Sequence, residues 1–333
     1  MKLIESYKKI KPTIVAFVPK FHPVYNPNET PPEFPPIFGT GFLVDEGIVV
    51  TNDHVVKIIP KLPKPPDCPP DIWPVECLLW YFIPEKGLAT ISLEVIGVFG
   101  ITKMETGDAY YGPLKPDFAF VHVKMKGLPK ANIKYDLKEI KEGQEIATAG
   151  FPMGTETLMA PGYLHQLTPT LQKGIISAVL PFECELPHAI MINVMVQGGA
   201  SGSPVFLPNT GDVIGVLYAS LEETRKTKSG LPNNIRTNAG KMEPSIHSHF
   251  LPAPTNISYV VPAHYIEKML QQIKEDSNME LPDNTLTLEE YIKNTEHVIL
   301  KRGQTPLDNV WNGPDTIRRT IVKQKADGEI VNK

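Results

Sequence analysis

Three side chains in this sequence sit in settings that chemistry can use: a serine, a histidine and an aspartate. Ser201 lies within Gly198-Gly199-Ala200-Ser201-Gly202-Ser203-Pro204-Val205, after the apolar run Ile192-Asn193-Val194-Met195-Val196 and ahead of the strand-like run Val213-Ile214-Gly215-Val216-Leu217. Glycines allow a sharp turn and a close backbone approach, and they leave N–H groups free to meet a developing oxyanion. Taken alone, the octet also fits an ordinary Gly/Ser/Pro turn. His54 follows Phe38-Gly39-Thr40-Gly41-Phe42-Leu43-Val44-Asp45-Glu46-Gly47-Ile48-Val49-Val50-Thr51-Asn52-Asp53. That stretch reads as a strand, a tight turn at Glu46-Gly47 and a second strand, with the histidine just past its end. Asp117 opens the apolar run Phe118-Ala119-Phe120-Val121-His122-Val123. A base, an acid and a hydroxyl nucleophile are the parts needed for acyl transfer through a covalent intermediate.

Their order along the chain, His54 then Asp117 then Ser201, is that of one serine-peptidase class and differs from the orders of two unrelated ones. The local wording agrees with that class. Gly39-Thr40-Gly41-Phe42, Thr51-Asn52-Asp53-His54-Val55-Val56, Asp117-Phe118-Ala119-Phe120-Val121 and Gly199-Ala200-Ser201-Gly202-Ser203-Pro204 occur in sequence order. They are followed or flanked by Ala149-Gly150-Phe151-Pro152, Lys173-Gly174-Ile175-Ile176-Ser177-Ala178 and Ile257-Ser258-Tyr259-Val260-Val261-Pro262. The chain resembles a trypsin-like (chymotrypsin-fold) serine peptidase, most closely the protease domain of the HtrA/Deg family, from about residue 10 to about 270.

The resemblance implies an all-β fold of two six-stranded antiparallel barrels with a C-terminal helix. The protease domain would span 10–272, with barrel one over about 10–135 and barrel two over about 140–265. The catalytic residues it implies are His54, Asp117 and Ser201, with the N–H groups of Gly199 and Ser201 as the oxyanion hole. Counting back from the nucleophile puts Met195 at the floor of the specificity pocket, and Tyr218, Ala219 and Ser220 along the bound peptide. No acidic residue then waits for Lys or Arg, and the expected P1 preference is aliphatic or small. Ala200 occupies the place where trypsin-like zymogens carry an aspartate that captures a new N-terminal amine, so no activating cleavage is expected. Ser203 replaces a family glycine. Met195 and Leu217 also fit as plain core residues.

Rivals to these assignments exist. Asp108 is a second candidate acid, in a Gly- and Tyr-containing stretch that reads as a loop, and His122 reads as a packed or surface strand residue. His247-Ser248-His249 lacks companion ligands at metal spacing, so no metal and no cofactor is expected.

Composition suits the same reading. A 333-residue chain with 41% hydrophobic residues buries a full core, and many short β-branched runs are broken by Gly and Pro. Its 34 prolines are about twice the usual share and crowd residues 19–36 and 60–74, which read as surface loops. A net charge of −4 without a basic stripe argues against nucleic-acid binding. No apolar run approaches the length of a membrane span, and the N-terminal run Thr13–Val18 is short for a signal sequence. Cys68, Cys77 and Cys184 are odd in number and read as reduced thiols, so a cytoplasmic location is expected.

Tyr265, Ile266, Met269, Leu270 and Ile273 recur at helical spacing and predict an amphipathic closing helix. The polar stretch 221–254 reads as a loop, a candidate exosite or lid. Residues 273–333 form a tail too short for the PDZ domain that HtrA proteins usually carry, with a helix opening at Thr285 or Thr287 by a capping box. The expected activity is hydrolysis of protein or peptide substrates, with a partner docking through the 221–254 loop or the tail. The alternatives are a latent binding module and a processing protease with one dedicated substrate.

Overall fold

The computed structural model describes residues 2–21, 36–83, 87–100, 116–152, 168–195, 198–230, 246–276, 279–294, 322–324 and 330–332. Twelve strands close into two six-stranded antiparallel barrels, as expected for the chymotrypsin-like class. Barrel one comprises β1 (Ile14–Pro19), β2 (Gly39–Asp45), β3 (Ile48–Thr51), β4 (Val75–Ile83), β5 (Gly87–Gly100) and β6 (Ala119–Val123), in the spatial order β1-β2-β3-β6-β5-β4. Barrel two comprises β7 (Glu145–Gly150), β8 (Thr170–Leu180), β9 (Ala189–Ile192), β10 (Pro204–Phe206), β11 (Val213–Gly230) and β12 (Ile246–Pro262), ordered β10-β11-β12-β9-β8-β7.

Apolar side chains divide into three cores. Val15, Phe17, Leu43, Val49, Leu79, Ile91 and Val121 fill barrel one, and Ile146, Ile190, Val205, Ile214 and Val260 fill barrel two. A third layer, with Ile14, Phe42, Phe120, Phe206 and Val216, joins the barrels. Phe42, Phe120 and Phe206 are fully buried, each contributing about 1.5–3 kcal/mol relative to exposure. That layer holds the two barrels in fixed relation, which any site spanning them requires.

Helices tie the barrels together from outside. In α1 (Leu3–Ile10), Ser6 Oγ donates to the Pro208 carbonyl at 2.6 Å and the Tyr7 hydroxyl donates to the Pro169 carbonyl at 2.6 Å, so the N-terminal helix rests on barrel two. The predicted closing helix is α3 (His264–Asp276). Its Tyr265, Ile266, Met269 and Leu270 are buried in the inter-barrel core, and Lys274 pairs with Asp45 of β2. The chain then returns to barrel one. Lys126 N–H donates to the Leu286 carbonyl at 3.0 Å, and Leu288 N–H donates to the Lys126 carbonyl at 2.8 Å. Thr287 caps α4 (Leu288–Asn294): its N–H donates to Glu290 Oε2 at 2.8 Å while Glu290 N–H donates to Thr287 Oγ1 at 3.2 Å.

The loop expected over 221–254 is not a loop in its described parts. Strands β11 and β12 continue past the barrel as a two-stranded ribbon, paired from Glu222↔Pro254 to Gly230↔Ile246, and residues 231–245 lie outside the described residues. Register shifts at Leu217/Ala219 and Ser220/Glu222 separate the ribbon from the barrel, and cross-strand backbone pairing then overrides a sequence poor in strand formers. His247 and His249 accordingly lie in β12. His122 lies within β6 at 4% exposure, and burial pushes its imidazole below the usual histidine range. Cys68, Cys77 and Cys184 are free thiols, with Cys77 fully buried in β4. No described helix is long and apolar enough to cross a membrane.

Candidate active site

The β3–β6 ladder pairs Thr51 with Ala119, so the residues just past β3 and just before β6 meet at one end of barrel one. His54 and Asp117 sit there. Asn52, fully buried, precedes the single-turn helix α2 (Asp53–Val56) in an extended conformation, and its Nδ2 donates to the Asp117 carbonyl at 2.6 Å. Val55 and Val56 bury on the barrel-one core side, which turns His54 outward to 46% side-chain exposure.

Both Asp117 carboxylate oxygens serve His54. Oδ1 accepts the His54 backbone N–H at 3.0 Å, and Oδ2 lies 2.6 Å from Nδ1. An ionised carboxylate only accepts, so this contact calls for a proton on Nδ1, and in the neutral ring that tautomer leaves the Nε2 lone pair on the side away from the aspartate. The backbone bond fixes one carboxylate oxygen and thereby aims the other at the ring. Asp53 is paired with Lys57 at 2.7 Å, which keeps that neighbouring carboxylate occupied elsewhere.

Ser201 lies on the turn that leads into β10. Gly199 and Gly202 have φ of 89°, a conformation that side-chain-bearing residues rarely adopt. Gly202 N–H donates to the Leu217 carbonyl at 2.8 Å and Leu217 N–H donates to the Ser203 carbonyl at 2.9 Å, binding the turn to β11. Ser203 is 1% exposed, with Oγ donating to the Ala200 carbonyl at 2.5 Å. The hydroxyl beside Ser201 thus points into the protein. Among the described residues the N–H groups of Gly199 and Ser201 have no acceptor, and no hydrogen bond joins Ser201 Oγ to the His54 ring. Such contacts commonly tighten only when substrate binds.

Thr40, at the start of β2, carries the turn across to barrel one. Its N–H donates to the Ser201 carbonyl at 2.9 Å and its hydroxyl donates to the Gly199 carbonyl at 2.6 Å. In the sequence Thr40 is one residue of the Gly39-Thr40-Gly41-Phe42 strand motif, and its partners on the nucleophile turn lie far along the chain.

Met195 is 41% exposed on the strand-to-turn connection, and Tyr218 stacks at a tilt against Tyr259 with ring centroids 5.9 Å apart. Ala219 and Ser220 are placed by the β11–β12 register, opposite Tyr259 and Ser258; their side chains lie outside the described residues. Ser258 and Tyr259, part of a motif in the sequence, take specific places here. Buried Ser258 donates to the Val194 carbonyl at 2.6 Å and so holds the segment leading to Met195, and Tyr259 stands beside Tyr218. Asp108 lies outside the described residues. Among the described residues no cluster of three or more His, Cys, Asp or Glu could hold a metal ion.

Comparison with known proteins gives one family match: the trypsin-like peptidase domain, over residues 39–216. No curated protein matches the chain at a significant level. Among solved structures, similar ones include the HtrA-type protease AlgW with a tripeptide, at 14% identity and a TM-score of 0.46. The same protease with a decapeptide gives 16% identity and a TM-score of 0.46. Each comparison covers 83% of this chain, which spans 64% and 68% of those two chains.

Proposed function

The chain belongs to the trypsin-like peptidase family, and from that premise we propose that it is a serine endopeptidase working through His54, Asp117 and Ser201. The observation that carries the reading is the double engagement of Asp117, with Oδ1 on the His54 N–H and Oδ2 on Nδ1. In this reading Nε2 of His54 takes the Ser201 proton as Oγ attacks the scissile carbonyl. The amide carbonyl becomes a tetrahedral oxyanion, met by the N–H groups of Gly199 and Ser201. His54 then gives the proton to the leaving amine, and water repeats the sequence on the acyl-enzyme. Asp117 stays ionised and stabilises the imidazolium. The proposed protease domain spans 10–272, and the β11–β12 ribbon and the tail are its proposed surfaces for a protein partner.

Two supports concern how the enzyme is used. Ala200 is apolar and 4% exposed, so its side chain has no charge with which to receive a new N-terminus, and activity should need no cleavage. Met195 supplies the floor of the proposed specificity pocket with no acid, which suits an aliphatic or small P1 residue, and Tyr218, Ala219 and Ser220 are proposed to run along the bound peptide. Peptides differing only at P1 (Val, Leu, Phe, Lys, Arg) should rank by kcat/KM with the aliphatic ones first. A basic P1 on top would overturn the pocket assignment.

A latent form that only binds is the second reading, favoured by the lack of a described hydrogen bond between Ser201 Oγ and His54. Intact-protein mass spectrometry after fluorophosphonate treatment separates the two. One adduct on the wild type and none on Ser201→Ala is the expected result. No adduct on the wild type would discard the enzymatic reading for the isolated chain.

A further inference from the structure

We infer that Thr40 and Ser203 are positioning residues that hold the oxyanion-hole donors outward, in a loop that has no charged side chain to do so. This rests on the reading of Ser201 as the nucleophile. The loop Gly199-Ala200-Ser201 presents three consecutive carbonyls, and all three are drawn inward by hydrogen bonds. Gly199 O accepts the Thr40 hydroxyl at 2.6 Å. Ala200 O accepts both the Ser203 N–H at 3.1 Å and the Ser203 hydroxyl at 2.5 Å. Ser201 O accepts the Thr40 N–H at 2.9 Å.

In a trans peptide the carbonyl and the following N–H point in opposite directions. Drawing the Ala200 carbonyl inward therefore sends the Ser201 N–H outward, toward an incoming oxyanion. The Gly199 donor is set one step less directly. The Thr40 bond to its carbonyl and its φ of 89° restrict how the peptide carrying its own N–H can turn. Two successive glycines, Gly198 and Gly199, would otherwise let that peptide rotate at little cost. A flipped peptide turns the donor away from substrate and removes the charge stabilisation that the reaction needs.

The clasp is itself anchored. Thr40 and Thr51 are fully buried and Ser203 is 1% exposed. The Thr40 carbonyl accepts the Thr51 hydroxyl at 2.7 Å, and the Thr40 hydroxyl accepts the Phe151 N–H at 3.1 Å. Thr40 therefore has both its backbone groups and both roles of its hydroxyl occupied, with partners on barrel one, on the residue leaving β7 and on the nucleophile turn. Both clasping hydroxyls border one space. A Cβ on Gly150 would lie 1.9 Å from Ser203 Oγ and 3.0 Å from Thr40 Oγ1, so the absence of a side chain there leaves room for the pair.

Thr40→Val keeps the shape and removes the hydroxyl, while Thr40→Ser keeps the hydroxyl. The rate of fluorophosphonate adduct formation, and kcat and KM on a cleaved peptide, should be measured for both, for Ser203→Ala and for the wild type. Thr40→Val should lose up to about 10²-fold in labelling rate and in kcat, the scale of one misplaced oxyanion donor, with KM little changed. Thr40→Ser should restore most of that loss. The pH midpoint of labelling, which reports the base, should stay in place in every variant. Should Thr40→Val fail to fold, Ser203→Ala carries the test, with a smaller fall in rate expected because its N–H stays on Ala200. Full labelling rate in a folded Thr40→Val or Ser203→Ala, or a kcat loss in Thr40→Ser equal to that in Thr40→Val, overturns the assignment. A wild type that never labels removes the nucleophile reading itself, and the clasp with it.

Discussion

Asp117→Asn should lower kcat about 10⁴-fold while leaving the fold in place. The physical reason lies in the two oxygens of Asp117. An asparagine keeps one oxygen, which can still accept the His54 backbone N–H, but it then offers an amide NH₂ to the ring. Two donors cannot face each other, so Nδ1 must become the acceptor and the proton moves to Nε2. A protonated Nε2 cannot take the Ser201 proton. Ser201→Ala should be more severe, about 10⁶-fold in kcat, and the double variant should be no slower than Ser201→Ala alone because the residues act as one unit. Steady-state kinetics on one peptide substrate for the three variants checks this. A double variant slower than Ser201→Ala by a further 10⁴-fold would mean that Asp117 acts elsewhere.

Gly202→Ala should be the most damaging single methyl added to the nucleophile turn. Its Cβ would lie 1.9 Å from the Thr40 carbonyl oxygen and 2.5 Å from Thr51 Oγ1, at a φ of 89°. The first obstacle is backbone and cannot swing aside. An alanine in that conformation costs about 1–2 kcal/mol, and overpacking typically adds about 1–3 kcal/mol. The sum is a large part of the roughly 5–15 kcal/mol that holds a domain folded. Relief by moving the turn would break the Thr40–Ser201 bond, so activity falls with stability. Denaturant unfolding is the check, and an unchanged midpoint with an unchanged slope would refute the close approach.

Much of the site was legible because its parts are local. His54, Asp117 and Ser201 each follow or open an apolar run, and runs of that kind form the strands whose pairing brings the first two together. Phe42 and Phe120 sit in apolar runs that read as strands. The clasp was not legible. Thr40 and Gly199 are neighbours only after both barrels close, and a threonine in a strand is unremarkable in the sequence. The β11–β12 ribbon was misread for a different reason. Its residues from Glu222 to Lys228 are polar and charged, so neither periodicity nor propensity marks them, and only pairing with the facing strand, resumed at Glu222↔Pro254 after two register shifts, makes them strand. Ser258 and Tyr259 were seen as a motif but not as neighbours of Val194 and Tyr218, a relation that exists only in the folded sheet.

The long sequence separation between partners in this fold has a consequence for the order of assembly. Helix α1 emerges first, yet its Ser6 waits for Pro208, and Asp45 and Lys126 of barrel one wait for Lys274 and for residues 286–288. At about 5–20 residues per second, Lys274 and residues 286–288 follow the last strand of barrel one by roughly eight to thirty-three seconds. During that interval the first barrel can form its own ladders but stands on the ribosome with the surfaces meant for α3 and α4 uncovered. A polypeptide that stops before residue 264 should therefore be markedly less stable than the full chain, because the inter-barrel core then lacks Tyr265, Ile266, Met269 and Leu270.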